Sequence, residues 1–77
     1  MSKKGQLKKA IDECEREIEA YEHKRERSQT AIMRAMLAGK KASPEDEKYF
    51  TVFSNLIDEA REKLRQLRAE LDELSKK

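Results

Sequence analysis

The chain has 77 residues, enough for one small domain. Charged residues make up 44% of it, yet the formal net charge is only +2, so no strong field favours nucleic acid or a membrane surface. No apolar stretch approaches the ~20 residues of a membrane span, the amino end lacks the apolar core of a signal peptide, and a lone cysteine cannot form an internal disulfide. These features point to the cytoplasm.

In chain order, residues 2–5 are a polar start that reads as frayed. From about residue 6 to 37 there is no proline or glycine, and good helix formers dominate, which predicts a first helix. Gly39 supplies the left-handed residue that commonly ends a helix, and Lys40 and Lys41 suit the negative end of its dipole. A loop of about 38–43 follows. Ser43 then reads as a cap, Pro44 as the first helical residue, and Glu45, Asp46 and Glu47 as the acids of a first turn. The second helix is predicted over about 44–75, and the whole chain, 1–77, reads as a single helical hairpin.

The two helices carry matching apolar seams. The second places Phe50, Phe53, Ile57, Ala60, Leu64, Leu67, Leu71 and Leu74 at alternating steps of three and four. The first places Ile11, Cys14, Ile18, Tyr21, Arg25, Ser28, Ile32 and Ala35 at the same steps. Paired in reverse order, the numbers of each couple add to 85, the constant sum that antiparallel helices require. The fold class is therefore all-α: an antiparallel two-helix hairpin of coiled-coil type, able to complete a helical bundle with a partner or a second copy. In that register Ile18 faces Leu67, Tyr21 faces Leu64 and Cys14 faces Leu71. One edge sets Glu15 beside Arg68 and Glu22 beside Arg61. The other sets Glu17 beside Glu70, Lys24 beside Lys63 and Ala31 beside Leu56. A single seam buries little against the entropy of ordering the chain, so the isolated hairpin is expected to be marginal.

No motif carries chemistry. Cys14 has a seam address and reads as a small buried hydrophobe. His23 is the only histidine and lies on another face, so neither a catalytic pair nor a metal ligand set forms, and no cofactor is implied. Two rigid helices without a cleft offer no substrate site, so the chain reads as a non-enzyme. The basic stretch His23, Lys24, Arg25, Arg27 is interleaved with Glu22 and Glu26 and lacks stacking aromatics, so nucleic-acid binding is the weakest of the readings. Arg25 and Ser28 break the first seam. Arg25, set against Ala60, has room to lay its stem along the seam and lift its head to water.

The surplus lies at the turn end. Tyr49, Val52 and Leu56 form a second apolar stripe on the second helix, and the first adds Met33, Met36 and Leu37. Two stripes on one helix exceed what one neighbour can bury. Met33, Met36, Tyr49, Val52 and Leu56 are therefore the candidate partner-binding residues.

The segment M-L-A-G-K-K-A-S-P-E-D-E-K-Y-F-T-V-F resembles the turn of the small helical-hairpin co-chaperones of type III secretion needle subunits, with Gly39, a short loop, Pro44, and Tyr49 with Phe50 a turn later. The resemblance covers about a third of the chain. It implies a protein-binding adaptor that joins a tetratricopeptide-like chaperone in the cytoplasm and keeps a needle subunit from polymerising. The rival reading is a structural coiled coil that self-associates into a four-helix bundle.

Overall fold

The computed structural model describes residues 2–76 and contains two helices, α1 (Lys3–Leu37) and α2 (Pro44–Ser75). They pack side by side as a rod 59 × 16 × 16 Å in extent. The all-α hairpin read from the heptads is the observed fold.

Local chemistry sets each helix end. Helix α1 starts three residues before the expected start because Ser2 caps it: the Ser2 hydroxyl accepts a hydrogen bond from the Gly5 amide at 3.1 Å. At the other end Gly39 takes φ +69°, where a side chain would be strained. This turn lets the Lys40 amide reach Ala35 O (2.8 Å) and the Gly39 amide reach Met36 O (3.0 Å). These two bonds close the helix end in a Schellman pattern. Ser43 then caps α2: its hydroxyl oxygen accepts from the Asp46 amide (3.1 Å) and its O–H donates to the Asp46 carboxylate (2.9 Å). Pro44 takes the first helical position, with Glu45, Asp46 and Glu47 in the positive first turn.

All sixteen seam residues are buried or half-buried, so the stripe itself is as expected. The register is not. The Cys14 thiol donates to Ala60 O at 3.2 Å, and the Tyr21 and Phe53 rings stack with centroids 6.2 Å apart. With numbers adding to 85, each of those couples would lie eleven residues out of level, ~16 Å along the axis. The in-phase register that satisfies them is one heptad shorter, with facing residues adding to 78. It puts Ile18 opposite Ala60, Cys14 opposite Leu64 and Ile11 opposite Leu67, and these six form one contiguous apolar cluster. Ile57, the most enclosed side chain among the described residues at 0% exposure, comes level with Tyr21.

The shift has three consequences. Leu7 is buried, opposite Leu71 and beyond the expected seam. Half-buried Arg25 lies level with Phe53 rather than with Ala60. Leu56 moves away from Ala31 and shares a groove with Tyr21 and Ala60. Ser28 is buried without cost to its hydroxyl, which donates to Lys24 O one turn back (3.4 Å).

Candidate functional site

The seam divides the rod's remaining surface into two edges. On one, Glu15 pairs with Arg68 at 3.4 Å and Glu22 with Arg61 at 3.3 Å. Both pairs match the sequence reading even though the register slid, because long Glu and Arg side chains bridge the offset. They are exposed and add little to stability, but they satisfy this edge's charges within the chain. Met36 lies two heptads beyond Glu22 and Met33 eleven residues beyond it, so both continue this Arg61 edge toward the turn. Met33 is 54% exposed, Met36 68%, and Leu37 beside them 86%.

The opposite edge carries Tyr49, Leu56 and Lys63 at spacings of seven, with Val52 between the first two. Tyr49 stacks on Phe53 at 6.2 Å, and the Lys24 ammonium sits 5.6 Å from the centre of the same Phe53 ring. Tyr49 remains 51% exposed and Val52 40%. Leu56 is half-buried in its groove, so it is an inner flank of the stripe rather than its outward crest. The like-signed couples expected on this edge do not occur. Glu70 pairs with Lys3 at 3.6 Å, and Glu17 lines the same groove as Lys63, its opposite in sign.

The five candidate residues therefore do not form one face. Tyr49, Val52 and Leu56 belong to the Lys63 edge, and Met33 and Met36 to the Arg61 edge, on either side of the hairpin at its turn end. Linear spacing shows the two stripes; only the side on which each helix meets the other separates them. Sequence reasoning also passed over a shallow groove along α1. Ala20 and Ala31 lie along it, with His23, Lys24, Arg27 and Arg34 among its rim. Its signal was present in the three-and-four steps Ala20, Lys24, Arg27, Ala31 and Arg34, a row parallel to the seam.

The Cys14 thiol is 2% exposed and hydrogen-bonded, so it is shielded from reagents. Among the described residues no group of three or more His, Cys, Asp or Glu could hold a metal ion, and no helix is long and apolar enough to cross a membrane. The hydrogen bond from Arg65 holds Glu62 below the usual carboxylate range, and the Arg65 guanidinium is raised in turn. This is an exposed i,i+3 pair on α2. Comparison of the chain with protein-family models, with curated proteins and with solved structures finds no match.

Proposed function

We propose that the chain is a non-enzymatic, protein-binding adaptor of the cytoplasm whose contacts concentrate at the turn end of the hairpin. The observation that carries this reading is the set of large apolar side chains left in water there: Met33, Met36 and Leu37 on one side, Tyr49 and Val52 on the other. A hairpin with one seam has no interior left to receive them. Methionines suit such a surface because they repack against varied shapes.

The most concrete form of the proposal follows from the Gly39–Pro44–Tyr49–Phe50 layout: a co-chaperone that joins a tetratricopeptide-like chaperone and helps hold a type III secretion needle subunit unpolymerised. Co-expression with such a chaperone and needle subunit, followed by size exclusion with light scattering, tests it. The expected result is a soluble ternary complex that Met36→Ala weakens by ~1–3 kcal/mol, the range for an interface anchor. Recovery of the chaperone and needle subunit without this chain, at any ratio, would sink that form. The second reading, a coiled-coil module that self-associates into a four-helix bundle, is favoured by the order of acids then bases along one face of α1, Glu13 and Glu17 followed by Lys24 and Arg27.

A further inference from the structure

We infer that the Lys63 edge, together with the adjoining groove of α1, is the interface of a symmetric antiparallel dimer, its occupant a second copy of this chain. The inference rests on the protein-binding reading above and names the partner of one of the two edges.

The first argument is an asymmetry in charge pairing. On the Arg61 edge Glu15 and Glu22 are matched within the hairpin. On the other side Glu13, Glu17, Lys24 and Arg27 share a helical row, and among the described residues they make no ion pair within the chain. Lys24 lies over the Phe53 ring, but Glu13, Glu17 and Arg27 have no partner of opposite charge within the chain among the described residues and suit an external one.

The second argument is that the row complements itself. Reading along α1 it runs Glu13, Glu17, Ala20, Lys24, Arg27: acids, a small residue, bases. A parallel copy would set acid on acid and base on base. An antiparallel copy, turned about an axis near the level of residue 22, sets Glu17 of each chain beside Arg27 of the other. It also seats Lys24 over the small Ala20 of the other. Ala20 and Ala31 lie along the groove, and residues of that size let two backbones approach.

The third argument links the charges to the apolar stripe. Level 22 of α1 corresponds to residue 56 of α2 in the observed register. The axis that pairs Glu17 with Arg27 therefore also places Leu56 of one chain against Leu56 of the other. Val52 and Tyr49 flank that centre, and Tyr49 comes level with Lys63 of the second copy. The axis set by the charge order on one helix thus falls on the inner end of the apolar stripe of the other. The rod is 59 Å long and 16 Å across, so a side covers roughly 900 Å² in outline, close to the ~800 Å² per partner of a standard stable interface.

The test is charge reversal with rescue on the full chain, read by sedimentation equilibrium across the micromolar range. Wild type is expected to dimerise. Glu17→Lys and Arg27→Glu should each weaken the dimer roughly tenfold or more, because symmetry introduces every like-charge contact twice. The double variant Glu17→Lys, Arg27→Glu should return to within roughly threefold of wild type. Both positions are exposed, so helicity by circular dichroism should be unchanged in all three. Leu56→Cys in a Cys14→Ala background should oxidise to a disulfide-linked dimer. A wild-type chain that stays monomeric, or a dimer indifferent to the single reversals, or a double variant without rescue, would each overturn the inference. Met36→Ala, on the other edge, should leave the dimer unchanged. A dimer that binds no second protein leaves this inference standing and removes the co-chaperone reading; a monomer that binds one does the reverse.

Discussion

Replacing Ile57 by Ala should be the most damaging single truncation in the hairpin. Among the described residues Ile57 is the one large side chain with no exposure at all, and it lies level with Tyr21 in the observed register. The change removes three carbons, worth ~2.4 kcal/mol at ~0.8 kcal/mol per buried methylene. The cavity left between two helices held by their own hydrogen bonds closes only in part and adds ~1 kcal/mol, for a total near 3–4 kcal/mol. Small domains sit toward the low end of the ~5–15 kcal/mol range of protein stabilities, so such a loss removes most of the hairpin's margin and leaves ~1–2 kcal/mol. Urea titration followed by far-ultraviolet circular dichroism, at a protein concentration low enough to keep the chain monomeric, measures it. Val52→Ala is the control: Val52 is 40% exposed and should cost under ~1 kcal/mol. An Ile57→Ala loss below ~1 kcal/mol, or one no larger than that of Val52→Ala, would show that the seam is not where the folding free energy resides.

Four further outcomes are expected. In a Cys14→Ala background, cysteines at 18 and 60 should form an intrachain disulfide readily, while cysteines at 18 and 67 should not; the reverse result would restore the longer register. Gly39→Ala meets no neighbouring atom but must hold φ +69°, so it should lower stability by ~1–2 kcal/mol by urea titration. Arg25→Leu should leave the melting temperature unchanged or raise it, since its half-buried stem lies level with Phe53 and the exchange removes only the need to keep a charged head in water; a clear fall would reveal a specific partner for the guanidinium. By NMR titration Glu62 should have a midpoint below the ordinary glutamate value, because the Arg65 guanidinium hydrogen-bonds its carboxylate. Because its folded pKa is depressed, its small contribution is present above the ordinary carboxylate range and lost as pH falls through that lowered midpoint. Arg65→Ala should bring the midpoint back up.

The helices, their caps and the residues of the seam were legible because each follows from local rules: three-and-four spacing, a left-handed glycine, a serine before a proline. The register was not, because a heptad seam slid by seven residues presents the same positions inward. What distinguishes the two alignments is which partners meet, and short apolar side chains discriminate weakly between them. The partners that meet in the folded rod, the Cys14 thiol on Ala60 O and the Tyr21 ring on Phe53, select the shorter sum, and neither contact is written in the spacing of one helix. Leu7 was passed over for the same reason: in the longer register it would face a position past Lys77, whereas in the observed one it faces Leu71. The candidate binding residues were visible as apolar surplus, but their division between two edges depends on which flank each helix turns to the other. Spacing within one helix does not encode that.

The observed register also brings Lys3 level with Ser75, so both helices finish flush at the end of the rod away from the turn. That placement gives the hairpin a direction of mechanical weakness. Tension drawing the two ends apart acts on one facing layer at a time, first Leu7 with Leu71, then the cluster around Cys14 and Leu64, and the pair opens like a zipper at low force. Tension between the turn and the ends runs along the helix axes and loads every layer together in shear. A rod built this way is stiff as a spacer and easily peeled from its open end.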